Sequence, residues 1–199
     1  MKIVAIMGSY RPGQTIDTLV DRAIEGARSS GSVEVDKVVL VERDIAYCKN
    51  CMACRRDGQA QPRARCVIAD DMQEIYPLIE AADGYIFGTP VNMGHVTAVM
   101  KTFLERICWV FARPGSWPLP GCPQPRTPKQ RKAVIIASSG LIAPLLRRFC
   151  DEATPLIKRT ALDSLNARLV GRLYAGAVEK RGVEPYLSKA YALGKKLAS

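Results

Sequence analysis

What most limits how this chain can fold is a rhythm. Five short apolar or β-branched runs are each followed by a stretch of helical periodicity. Ile3 to Met7 is a compact apolar run halted by Gly8. Ile16, Leu19, Val20, Ala23, Ile24 and Ala27 then recur at helical spacing and predict a helix from about Gln14 to Ser30, closed by Gly31. The pattern repeats, with strands expected at Val33–Val41, Gly84–Thr89, Ala133–Ala137 and Arg168–Ala177. Helices are expected from Asp70-Asp71 through Ala82, from Thr97 to about Phe111, from about Ala143 to Leu165, and from Glu184 to Leu197. Strands alternating with helices form a parallel sheet covered on both faces. The prediction is one α/β domain over residues 1–199, a doubly wound five-stranded parallel sheet in the order 2-1-3-4-5. Two stretches break the rhythm. Residues 44–66 have no period and hold four cysteines, and residues 113–130 are Pro-rich. The prolines' fixed φ angles and missing N–H donors predict an irregular excursion there.

Ligands of such sheets bind outside the carboxyl ends of the strands, where the strand order reverses between β1 and β3. Here those ends carry Gly8–Thr15, Thr89–Gly94 and Ser138–Gly140, three loops rich in Gly, Ser, Thr and Asn. The first opens directly into a helix, whose free N–H groups and dipole attract an anion. Ser9 and Thr15 add hydroxyls, Gln14 an amide, Arg11 a charge, and Gly13 room for close backbone approach. The loop lacks both the GxxxxGK[ST] and the GxGxxG patterns, so a monophosphate is the expected anion.

Cys48, Cys51, Cys54 and Cys66 read C-x2-C-x2-C-x11-C. Three thiols at successive three-residue steps approach one inorganic centre. Iron–sulfur clusters use such runs, whereas zinc sites more often use two separated CxxC pairs. Cluster, zinc and unliganded thiols all stay open on spacing alone. Arg55, Arg56, Arg63 and Arg65 lie in the same loop and would offset the charge of bound thiolates. Seven cysteines, an odd number, with four crowded together, argue for a reducing compartment and a cytoplasmic protein, not a disulfide framework. No apolar run reaches the ~18 residues of a membrane span. The net charge of +10 is scattered in small clusters without aromatic interleaving, so no nucleic-acid partner is expected.

Gly8-Ser9-Tyr10-Arg11 opening a helix resembles the GSxR loop of the NADPH-dependent FMN reductase family, within the flavodoxin-like fold. The resemblance runs on through Cys66-Val67-Ile68, Asp70-Asp71-Met72, Thr89-Pro90-Val91-Asn92, Met100-Lys101 and Glu105-Arg106, and spans residues 1 to about 140. The cysteine run is similar to that of the iron–sulfur flavoprotein branch, although its x11 gap is longer than the compact spacing of that branch. The resemblance implies that Ser9, Arg11, Gly13, Gln14, Thr15 and the Ile16 backbone hold an FMN phosphate. It implies that Pro90, Val91, Asn92, Met93 and Gly94 border the isoalloxazine and ribityl, with Ser138, Ser139 and Gly140 on the other side. Cys48, Cys51, Cys54 and Cys66 become the expected metal ligands. Two positions depart from the family pattern: Ile16 stands where many relatives carry a hydroxyl, and Asn92 where many carry Tyr.

The expected function is hydride transfer from NAD(P)H to bound FMN and on to a flavin, quinone or similar acceptor. That chemistry belongs to the cofactor and needs no catalytic triad. The alternative is an iron–sulfur flavoprotein with a [4Fe–4S] cluster, carrying electrons between partners such as a ferredoxin-like protein. A zinc-stabilised binding module is a third reading. His95 either donates to the flavin or protonates a quinone oxygen, or it faces solvent. Trp109, Phe111 and Trp117 either roof a neighbour's flavin or form the core of a homodimer or homotetramer.

Overall fold

The computed structural model describes residues 1–57, 60–116 and 121–199. Lys2–Met7 forms β1, paired in parallel with Glu34–Val39 (β2) on one side and Gly84–Pro90 (β3) on the other. Beyond β3 lie Arg131–Ser138 (β6) and Ala167–Ala175 (β7), so the sheet order is β2-β1-β3-β6-β7. This is the expected doubly wound order, with Ala112–Pro114 (β4) and Pro123–Pro125 (β5) standing outside it as a separate pair.

The period-2 alternation of β1 decides the two layers. Ile3, Ala5 and Met7 point into one core with Thr15–Arg28 (α1) and Glu184–Ala198 (α8). Val4 and Ile6 point into the other, with Met72–Ala81 (α3) and Ala98–Phe111 (α4). Among the described residues no helix is long and apolar enough to cross a membrane.

Three expectations need correction. The Pro-rich segment is not wholly irregular, because β4 and β5 form an antiparallel pair with Arg113 opposite Gln124. Pro114, Pro123 and Pro125 occupy alternate positions, and the donors come from residues between or beyond them. Gly115 N–H donates to Cys122 O at 2.7 Å and Arg126 N–H to Phe111 O at 2.9 Å. Prolines at every second position leave the other register free to pair. The single helix expected over 143–165 is instead a 3₁₀ turn Pro144–Phe149, a helix Ala153–Ile157 (α5), a π turn Lys158–Leu162 and a short helix Asp163–Leu165 (α6). Asp151 accepts from the Thr154 N–H at 2.9 Å and its hydroxyl at 2.8 Å, which starts a fresh helix there. Phe111 is 1% exposed and packs edge-on against Tyr76 at 6.1 Å, so it belongs to this chain's own core and roofs no neighbouring site. Trp117 lies outside the described residues.

Candidate functional site: a cleft at the sheet edge and a cysteine-lined cavity

The three loops predicted to converge do so. A cleft of about 510 Å³ opens at the carboxyl end of the sheet, a size typical of small-molecule sites. It is lined by Ser9, Arg11, Gln14, Thr15 and Ile16 from the first loop, Pro90, Val91 and Asn92 from the second, and Ser138 and Gly140 from the third. Gly13, Met93, Gly94 and Ser139 stand outside this lining. Gly13 and Gly94 take φ of +75° and +82° and shape their turns, and Met93, at φ +49°, is 94% exposed. The Ser139 hydroxyl accepts from the Ile142 N–H at 3.2 Å. His95 is exposed and absent from the lining, although its backbone bridges Asn92 in both directions at 2.7 and 2.9 Å.

The start of α1 faces the cleft uncapped. Gln14 occupies the N-cap position but makes no side-chain cap, so the first N–H groups of the helix are left open at the cleft. Ser9 Oγ accepts from the Arg11 N–H at 3.1 Å and shapes the turn. The Gly13 N–H is taken by Asp17 at 2.6 Å. Ile16 buries its side chain in the core at 2% exposure and brings no hydroxyl to the cleft it helps line.

Four cleft residues escaped sequence reasoning. The Tyr10 hydroxyl accepts the Ala98 N–H at 2.8 Å and ties the first loop to α4. Thr97 caps α4 by accepting from Met100 N–H at 3.3 Å, while its hydroxyl donates to Gly8 O at 2.5 Å. A Cβ on Gly8 would stand 2.7 Å from Met100 Cε and 2.9 Å from Met100 Cβ, so only glycine permits this close seating. Val178 and Glu179, in a short helix Val178–Arg181 (α7) just past β7, complete the wall. Thr97 carried a readable signal, a capping residue directly before a periodic run. Glu179 carried none.

The second site lies in loop 44–66, which holds the one-turn helix Ala53–Arg56 (α2). Cys48, Cys51, Cys54 and Cys66 all line one cavity of about 30 Å³, with Arg106, Trp109 and Val110 of α4 behind them. Cys48 and Cys51 are exposed, and Cys54 and Cys66 are half-buried. Burial, and then the thiols of Cys66, Cys48 and Cys51, push the Cys54 thiol up from its ordinary value. Among the described residues no three His, Cys, Asp or Glu side chains are drawn together as ligands of a single ion. Arg106 forms a buried pair with Asp70, the two side chains 1% and 3% exposed. Its Nη1 also donates to Ala46 O at 2.8 Å, and its Nη2 lies 3.6 Å from Cys66 Sγ. Burial alone would raise the Asp70 carboxyl. Hydrogen bonds from Arg106 and the Ala46 N–H outweigh it and hold the group below the usual carboxylate range. Four thiols around one cavity, backed by a buried guanidinium, are a donor set suited to an anionic metal–thiolate centre.

Fold and cleft together define a flavodoxin-like α/β protein with a cleft at the β1/β3 switch. The family follows from the sequence: residues 1–143 match the family described as NADPH-dependent FMN reductase, and the chain belongs to it. An iron-sulfur flavoprotein of Methanosarcina thermophila is 42% identical over 106 residues, covering 53% of this chain and 52% of that protein. One of Archaeoglobus fulgidus is 38% identical over 114 residues, covering 57% of this chain and 49% of that protein. The chain thus spans about half the length of the curated relatives it matches. Among solved structures, an NAD(P)H:quinone oxidoreductase from Methanothermobacter marburgensis superposes with a TM-score of 0.72. It is 15% identical over 98% of both chains, a likeness of fold.

Proposed function

We propose that the protein is an FMN oxidoreductase that takes hydride from NAD(P)H and passes it to a flavin, quinone or similar small acceptor. The observation that carries this reading is the meeting of Ser9, Arg11, Gln14 and Thr15 with Pro90–Asn92, Ser138 and Gly140 around one cleft at the strand-order switch. FMN, when bound, supplies the acceptance and donation of hydride. The chain's residues bind and orient it. The open N–H groups of α1, the Ser9 and Thr15 hydroxyls and the Arg11 guanidinium would hold the phosphate. Val91 N–H donates to Ser138 O at 2.7 Å, and Asn92 is bridged to His95. That bonding stiffens the wall against which the ring would lie. Ser138 and Gly140 would close the opposite side. The test is FMN uptake by the purified protein and FMN-dependent oxidation of NADH and NADPH. Protein that neither retains nor binds FMN refutes the proposal.

A second reading has its own observation, the four cysteines around one cavity. On it, Cys48, Cys51, Cys54 and Cys66 hold an iron–sulfur cluster and the protein exchanges single electrons with a partner such as a ferredoxin-like protein. About four irons and four sulfides per chain after anaerobic purification would support it. Zinc alone, or no metal, would refute it. A homodimer or homotetramer is the proposed assembly in either case. The apolar side chains left on the surface beyond β6, Leu141, Leu145, Leu146 and Phe149, favour it, and light scattering tests it.

A further inference from the structure

The Pro-rich segment and the cysteine loop lie far apart in the chain. The fold joins them through Arg126, the residue just after β5. Although a cation, Arg126 is 2% exposed. Its Nη2 donates to Cys54 O at 2.9 Å and its Nη1 to Ala60 O at 3.0 Å. One planar guanidinium therefore clasps two carbonyls six residues apart, at the start of the spacer that separates Cys54 from Cys66. The rest of that spacer is laid down in turn. Arg55 stacks on Trp109 at 4.6 Å, Arg63 pairs with Glu80 at 2.7 Å, and the Ala64 N–H donates to Val110 O at 2.8 Å. Cys66 is thereby returned to the cavity that Cys54 lines. Among the described residues between these cysteines, 55–57 and 60–65, the chain is held at Arg55, Ala60, Arg63 and Ala64.

We propose that Arg126 is the positioning residue that clasps the two ends of this turn and sets buried positive charge behind the Cys54 backbone, while Arg106 lines the cavity of four thiols, an arrangement suited to an anionic metal–sulfide centre. The proposal rests on the reading that the cysteines hold a metal centre. Its second support is the state of the two guanidinium groups. The Nε atoms of Arg106 and Arg126 are both buried without a hydrogen-bond partner among the described residues. Arg106 has Asp70 as counter-ion, whereas Arg126 has no carboxylate within ion-pair distance among the described residues. A buried cation without a counter-charge is costly. The anionic groups of the same loop whose field reaches it are the Asp57 carboxylate and then the Cys54 thiolate.

The test uses the full chain with Arg126→Gln and Arg126→Lys, folded state being checked by far-UV circular dichroism. After anaerobic reconstitution with ferrous iron and sulfide, Arg126→Gln is expected to lose at least half of the bound iron. Any cluster left should have a lower midpoint potential than the unaltered protein, because a positive charge has gone. In the apo protein, the amides of Ala53–Asp57 are expected to exchange with deuterium about tenfold faster. Arg126→Lys should recover the potential in part but not the exchange protection, since one ammonium cannot bridge both carbonyls. Unchanged iron content, potential and exchange in Arg126→Gln overturn the proposal. If the unaltered chain takes up no iron, the metal reading fails separately, and exchange decides alone: faster exchange keeps the clasp, unchanged exchange removes it. Should Arg126→Gln not fold, the same exchange measurement on Arg126→Lys decides.

Discussion

Replacing Asp70 with Asn tests whether the cysteine loop is anchored as described. The carboxylate accepts from both Arg106 Nη atoms, from the Ala46 N–H at 2.9 Å and from the Met72 N–H at 3.1 Å. Asn keeps the shape and one acceptor oxygen but removes the charge, leaving the Arg106 guanidinium buried and unopposed. Breaking a buried pair by removing one partner costs about 3–5 kcal/mol. With a urea slope of about 3 kcal/mol per M, the unfolding midpoint should fall by about 1–2 M. The assay is urea unfolding followed by fluorescence and circular dichroism, with the slope compared between variants. Arg106→Met and the double variant Asp70→Asn/Arg106→Met complete a cycle. The double variant should be less destabilised than the sum of the singles by about 2 kcal/mol, because no lone charge is left buried. An Asp70→Asn protein within about 1 kcal/mol of the parent, or strict additivity in the cycle, would refute the reasoning.

The same carboxylate predicts an acid transition. Asp70 is held below its unfolded value, so its stabilisation is complete above pH ~4 and is lost as pH falls through the lowered folded value. Asp17 and Asp83, also lowered, act in the same direction, and an acid titration of unfolding stability checks this. In apo protein, Cys54 should be alkylated by iodoacetamide more slowly than the exposed Cys48 and Cys51, because burial keeps its thiol protonated to higher pH. Peptide mass spectrometry at neutral pH reads the order, and equal rates would contradict the burial described here. Gly88→Ala would press a methyl onto Val20 Cγ2 and bring it 3.1 Å from Ile16 Cγ2, behind the first cleft loop. A loss of about 1–3 kcal/mol in thermal or urea unfolding is expected. Ser9→Ala should raise the FMN dissociation constant about tenfold, read by quenching of flavin fluorescence, since a buried hydroxyl that shapes the loop is lost.

The layered sheet is legible in local pattern. Ile3–Met7, Gly84–Thr89 and Ala133–Ala137 are apolar on both faces because both faces are covered, and that property is local and periodic. The same pattern also determined where a ligand cleft opens, since alternation of strands and helices forces the Gly8–Thr15, Thr89–Gly94 and Ser138–Gly140 ends onto one edge. The tertiary structure alone decided the rest. Spacing of Cys48, Cys51, Cys54 and Cys66 suggested a shared centre, but an eleven-residue gap leaves the fourth thiol free to go elsewhere. It is brought back by groups distant in the chain: Arg126, 72 positions from Cys54, and Arg106, 40 positions from Cys66. Glu179 joins the cleft only because β7 ends beside β6, and Phe111 turns inward only because Tyr76 lies across from it. Periodicity records which face of an element is buried. Which distant side chain fills the space against it depends on how the elements pack, and no local pattern carries that information.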